Sequence, residues 1–177
     1  MNEPDPTTIA LAVRGNQQAF ADLIHLYQEP VWRFLNHLLV DRHAAEDATQ
    51  ETFIRVHNKL HTFEARSKFS SWVFQIARNT GLDIIRKQQR RPALSNRPTH
   101  DAPIPGSPTT ATEISAALAA LPVAQREAIL IIEVLGYTYR EAAQITGVAE
   151  GTFKSRVHHG RVALTEWFNP REQAREV

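Results

Sequence analysis

The stretch Ser67–Arg91, SKFSSWVFQIARNTGLDIIRKQQRR, decides how the rest of the chain is read. Phe69, Val73, Ile76, Ala77, Thr80 and Ile84 recur at spacings of three and four, the signature of a buried helical stripe. The other face carries Trp72, Gln75, Asn79, Asp83, Arg86 and Arg90. A helix of this length extends roughly 30 Å, and it closes in Arg86, Lys87, Arg90 and Arg91 before Pro92 stops it. Cations there complement the helix dipole. A cluster this dense, beside an aromatic and amides, also suits a nucleic-acid backbone. Alone, the stretch equally fits an ordinary amphipathic helix with a solvated basic end and Trp72 in the core. The remainder of the chain separates the two readings.

The 177 residues suffice for one domain or two small ones, and 42% hydrophobic with 22% charged residues describes a globular chain. No apolar run reaches the ~18 residues of a membrane span, and the acidic start MNEPDP does not read as a signal peptide. The absence of cysteine excludes disulfides and thiolate metal sites and fits a reducing cytoplasm. The net charge of +1 says little, but its distribution says more: basic residues gather at 86–91 and 154–161.

Upstream, Thr7 or Thr8 is expected to cap a first helix running through Arg14, with Gly15-Asn16 as its stop. A second helix places Phe20, Leu23, Ile24, Tyr27, Val31, Phe34, Leu35 and Leu38 in the core, with a bend expected near Pro30. Asp41-Arg42-His43 reads as a polar turn. AAEDATQETFIRVHNKL then forms a third helix with Ala45, Ala48, Thr52, Val56 and Leu60 inward. Asp47, Gln50, Glu51 and Ile54 follow at i, i+3, i+4 and i+7 on another side, either as a solvated face or as a strip for a basic partner helix.

PALSNRPTHDAPIPGSPTTAT, residues 92–112, lacks periodicity and reads as a flexible linker, with a reach of at most about 70 Å. A second helical unit begins with Glu113 to Leu121, after which Pro122 stands at the first position of VAQREAILIIEVL, with Ala128, Ile129, Ile132 and Leu135 inward. Gly136 ends it. Thr138 with Glu141 forms a capping box that opens a short helix to Thr146. Gly147 permits the left-handed turn, Val148 plugs the corner, and Glu150 to Leu164 is the next helix. Helix, Gly turn and helix make a helix-turn-helix. Phe153, Val157, Gly160 and Leu164 face inward. Thr152, Lys154, Ser155, Arg156, His158, His159 and Arg161 point outward as donors for phosphates and base edges.

AEDATQETFIRVHNKL, then FEARSKFSSW, then VFQIARNTGLDIIRKQQRR resembles region 2 of bacterial sigma-70 factors of the extracytoplasmic-function (ECF) group, over about Gln17 to Arg91. LPVAQREAILIIEVLGYTYREAAQITGVAEGTFKSRVHHGRVAL is similar to region 4 of the same group. The fold implied is all-α: a region 2 bundle at 1–91, a linker at 92–112, a region 4 helix-turn-helix domain at 113–168 and a tail at 169–177.

The resemblance implies an alternative sigma factor and assigns roles by position. Asp47, Gln50 and Glu51, with Phe53 and Ile54 adding apolar contact, would bind a coiled coil on the largest catalytic-side subunit of core RNA polymerase. Phe63, Trp72, Gln75 and Asn79 would hold the −10 element, Asn79 bonding a flipped base. Arg86, Lys87, Arg90 and Arg91 would grip phosphates. The outward residues of the last helix would read the −35 element in duplex DNA, although His159 stands where the group commonly carries Arg. An anti-sigma partner covering both domains is compatible with this reading. The free protein is expected to be a cytoplasmic monomer with no membrane insertion, no cofactor and no catalytic residues.

Two other functions fit parts of the chain. A free-standing helix-turn-helix regulator explains the second unit, but leaves the acidic strip and the Trp and Asn face without purpose, and no dimerisation heptad is present. A metalloenzyme could use His57 and His61 with Glu51 or Glu64, but no third ligand has a defined spacing, and no phosphate loop or nucleophile-base setting appears.

Overall fold

The structure, a computed structural model, describes residues 3–90 and 110–169. Among the described residues every regular element is helical. α1 (Pro6–Val13), α2 (Gln17–Leu39), α3 (Arg42–Lys59) and α4 (Phe69–Arg90) build the first unit. α5 (Thr110–Ala120), α6 (Val123–Ile129), α7 (Tyr139–Thr146) and α8 (Glu150–Phe168) build the second.

The cap of α1 is Asp5, not Thr7 or Thr8: its carboxylate accepts from the Thr7 N–H, and Pro6 takes the first helical position, where no N–H is needed. Gly15 adopts φ +89° and Asn16 caps α2 through the Ala19 N–H. Pro30 is accommodated inside one continuous α2. Asp41-Arg42-His43 is not a free turn, because Asp41 accepts from the Ala44 N–H and α3 starts at Arg42.

The buried stripes follow the sequence periodicity. Leu23, Tyr27, Val31, Phe34, Leu35 and Leu38 of α2 meet Ala45, Ala48, Thr52 and Val56 of α3 and Phe69, Val73, Ile76, Ala77 and Thr80 of α4. Phe20, Ile24 and Ile84 are only half-buried at the margin. The small face of α3 lets helices approach closely, and a Cβ on Gly81 would meet Leu38 Cδ2 at 2.9 Å, so α4 crosses α2 at a contact that only glycine leaves open. α4 has a cap from far away in sequence. The Phe69 N–H donates to Glu3 Oε2 at 2.9 Å, an anion at the positive end of the helix dipole.

In the second unit α5 starts at Thr110, so the last three residues assigned to the linker are helical. The rest of that linker, like Arg91 and the tail beyond Asn169, lies outside the described residues. Pro122 is the N-cap of α6 rather than its first residue. The segment expected as one helix through Leu135 changes to a π-helical turn at Leu130–Val134. The wider turn buries Leu130 and Ile131 and leaves Ile132 half-exposed. Both halves of the capping box are present at Thr138 and Glu141, and Gly147 adopts φ +68°. α8 runs one turn beyond Leu164, with Phe153, Val157 and Gly160 buried and Leu164 half-buried.

The two units pack against each other. α4 lies along α7, and α2 touches α5, α6 and the π-turn. Tyr137 seats its ring 6.0 Å from Phe74 beside Ser70 and Ser71. Arg126, nearly buried, donates through Nη1 to the Leu38 carbonyl (2.8 Å) and through Nη2 to those of Ala119 (2.9 Å) and Leu121 (3.2 Å). One guanidinium thus serves the C-terminal ends of both α2 and α5.

Candidate nucleic-acid interface

Three surfaces emerge from these helices. On α3, Asp47, Gln50 and Ile54 are exposed and Glu51 half-exposed, because Ala45, Ala48, Thr52 and Val56 take the inward side. Ile54 is 55% exposed, the most open large apolar side chain among the described residues. Phe53 turns partly toward the core instead. Glu51 is engaged: Arg55 Nε donates to its Oε1 at 2.7 Å, and Arg55 Nη1 reaches Asp83 of α4 at 3.4 Å. The Glu51 carboxylate, then Asp83, holds the Arg55 pKa above its ordinary value. The sequence reading missed Arg55, which ties the acidic strip to α4.

The second surface is the front of α4. Phe63, from the loop that follows a 3₁₀ turn at Leu60–Thr62, packs its ring 5.1 Å from Phe69 and 5.4 Å from Trp72. Trp72 is therefore half-buried in an aromatic corner, with part of its face left open. Gln75 and Asn79 are exposed, Asn79 two turns or roughly 10 Å along the helix from Trp72. Arg86, Lys87 and Arg90 follow, all exposed, with Arg86 Nη1 3.3 Å from Asp83. An aromatic platform, two amides and a row of cations on one line match the requirements of single-stranded nucleic acid.

The third surface is α8. Thr152, Lys154, Ser155, His158, His159 and Arg161 are exposed, whereas Arg156 is half-buried. Two of the cations are paired: Lys154 with Glu150 (2.8 Å) and Arg161 with Glu133 (2.6 Å). His159 Nδ1 lies 2.8 Å from the Ser155 carbonyl. A carbonyl can only accept, so Nδ1 carries a proton in this contact. His57 packs edge-on against Phe20, and among the described residues no group of three metal-ligating side chains forms. No described helix is long and apolar enough to cross a membrane.

An acidic helix, an aromatic-to-basic helix and a helix-turn-helix in this order are the parts of a sigma-70 factor. Residues 23–91 match the family described as Sigma-70 region 2, and residues 111–164 match Sigma-70, region 4. The chain belongs to the ECF group of that family and is an alternative sigma factor, which directs RNA polymerase to promoters. It is 38% identical to the probable RNA polymerase sigma-C factor of Mycobacterium bovis over 165 residues, 89% of this chain and 88% of that one. Against the ECF sigma factor SigM of Bacillus subtilis it is 32% identical, covering 84% and 94%. Among solved structures it is similar to the sigma factor RpoE of Bartonella quintana in complex with the anti-sigma factor NepR. That match has a TM-score of 0.71 at 31% identity and covers 85% and 96% of the two chains. The region 4 match begins at 111, in keeping with the helical start at Thr110.

Proposed function

We propose that the three surfaces divide initiation among themselves. Asp47, Gln50, Glu51 and Ile54, with Phe53 behind them, bind core RNA polymerase. Phe63, Trp72, Gln75 and Asn79 capture the −10 non-template strand, and Arg86, Lys87, Arg90 and Arg91 hold its phosphates. Thr152, Lys154, Ser155, Arg156, His158, His159 and Arg161 read and grip the −35 duplex. The observation that carries this division is the exposed acidic strip around Ile54 on the same bundle as an open aromatic-amide face. A free-standing helix-turn-helix regulator has no use for either.

Strand capture requires a base to leave its stack at a cost of a few kcal/mol. An open aromatic face returns about 1–3 kcal/mol per stacked base, and the Asn79 amide adds a donor and an acceptor for a Watson–Crick edge. At the −35 element His159, with Nδ1 turned to the Ser155 carbonyl, lacks the two-pronged donor that Arg offers to the acceptors of guanine. By the same reading, an anti-sigma protein inhibits by covering both units.

Gel-filtration co-elution with bacterial core polymerase tests the assignment. Wild type co-elutes, and the Asp47→Arg, Glu51→Arg double variant does not, while remaining helical. Asp47→Arg alone separates the strip from the Arg55 link, since Asp47 takes no part in that ion pair. Undiminished co-elution of the double variant rejects the assignment.

A further inference from the structure

Two cations beside the α4 face are held by carboxylates of the other unit. Arg78 Nε donates to Glu127 Oε1 and its Nη2 to Glu127 Oε2 at 3.4 Å, with Glu127 almost completely buried. Arg78 Nη1 also donates to Asn79 Oδ1 at 3.2 Å, occupying the acceptor of the amide assigned to the flipped base. Near the start of α4, Lys68 Nζ lies 2.6 Å from Glu141 Oε1, whose other oxygen caps α7. The docking of the second unit on α4 therefore neutralises one cation at each end of the face that carries Trp72, Gln75 and Asn79.

We propose that Lys68 and Arg78 are two further phosphate-binding residues, and that Glu127 and Glu141 stand in for promoter phosphates in the docked form. DNA and the second unit then compete for the same charges. The proposal rests on the sigma-factor assignment above and extends it to four residues outside the assigned surfaces.

Geometry requires that docking be released. A chain of this length packed as one body measures about 40 Å across. Elements centred at −35 and −10 lie roughly 85 Å apart along B-form DNA, so the docked protein cannot span them. Release takes Arg78 from Glu127, which frees the guanidinium next to the base-reading amide so that a phosphate can replace the carboxylate. A carboxylate and a phosphate oxygen ask the same of a guanidinium, a charge-assisted pair of N–H bonds.

The full chain has no cysteine, so Gln28→Cys and Glu166→Cys, both at exposed positions, give one dye on each unit. Glu127→Gln with Glu141→Gln removes both stand-in charges while retaining the capping box, which accepts Gln. The expected result is lower energy transfer between the dyes without DNA. Binding of a single-stranded −10-type oligonucleotide should tighten about tenfold, the gain when roughly nine in ten molecules start docked. In that background, adding Lys68→Gln and Arg78→Gln should reduce the slope of log K against log salt by about 1.4, two phosphates' worth for a single strand. The milder pair Lys68→Gln with Glu141→Gln, which leaves the buried Arg78–Glu127 pair intact, should reduce it by about 0.7.

Unchanged energy transfer and affinity in the Glu127→Gln, Glu141→Gln variant overturns the proposal. So does an unchanged salt slope on loss of Lys68 and Arg78 with binding retained, and that result leaves the sigma-factor assignment standing. If no variant binds the oligonucleotide at all, the −10 assignment falls together with the proposal.

Discussion

Arg126 is the residue whose loss should be felt most widely. Its guanidinium donates to three carbonyls at 2.8, 2.9 and 3.2 Å, one in the first unit and two in the second. Burial lowers its pKa, so the charge is held at a desolvation cost that these bonds offset. Arg126→Met keeps the apolar stem but leaves three carbonyls near the ends of α2 and α5 without this donor. Each bond to a charged group contributes about 1.5–3 kcal/mol, and desolvating the cation takes back a few. A net loss of about 3 kcal/mol follows, a large share of the ~5–15 kcal/mol that holds a domain together. In urea this lowers the midpoint by about 1.5 M for an m-value near 2 kcal/mol/M. Helical circular dichroism reads that midpoint, and the Gln28→Cys, Glu166→Cys dye pair reads the docking of the units. Because one Arg126 bond crosses between the units, Arg126→Met should also separate one cooperative transition into two. Arg126→Lys supplies a charge but not a fork, and should recover less than half. A midpoint within 0.3 M (roughly 0.6 kcal/mol) of wild type, with a single transition, refutes the reasoning.

Other perturbations have equally definite outcomes. Asn79→Ala should slow open-complex formation at least tenfold while leaving co-elution with polymerase intact; permanganate footprinting of the opened strands reads the first, and an unchanged rate removes Asn79 from base capture. Gly160→Ala places a Cβ 2.8 Å from Ile129 Cγ1, and the overpacking outweighs the helix-propensity gain, lowering stability by about 1 kcal/mol in a urea titration. The pKa of Glu141 is depressed to about 2, first by its bond with Lys68 and then by the Thr138 N–H. Its stabilising effect is thus fully present above its ordinary value of 4.5 and lost as pH falls from there through 2. The stability advantage of wild type over Glu141→Gln should vanish across that window, and an advantage that persists below it contradicts the pairing. His159→Arg should shift −35 selection toward guanine, read by competition among duplexes that differ at one base pair.

Most of the fold was legible because its causes are local. The period of 3.6 in α2, α3 and α4 gave the buried stripes, and Thr138, Gly15 and Gly147 marked boundaries through a side-chain cap and left-handed backbone, whereas the Asn16 cap of α2 came from the structure. The misreadings at Asp5, Asp41 and Pro122 were shifts of one to three residues at helix starts. The π-turn at Leu130–Val134 escaped because an apolar run of Ile and Leu reads alike in α and π registers, and the choice is made by what packing against α2 and α7 buries. The candidate surfaces were legible as patterns of residue type, but Trp72 needed the tertiary contacts with Phe63 and Phe69 to be placed half in the core and half on the surface.

By itself the sequence determined the helices, their inward faces, the family and the order of the two units, since each depends on residues within a few turns of one another. Only the tertiary structure decided that Glu3 caps α4, that Arg55 joins α3 to α4, and that Arg126, Glu127, Tyr137 and Glu141 dock the second unit on the first. Those pairings join charges and rings distant along the chain. No local spacing encodes them, because a buried carboxylate is satisfied only by the cation that packing brings to it.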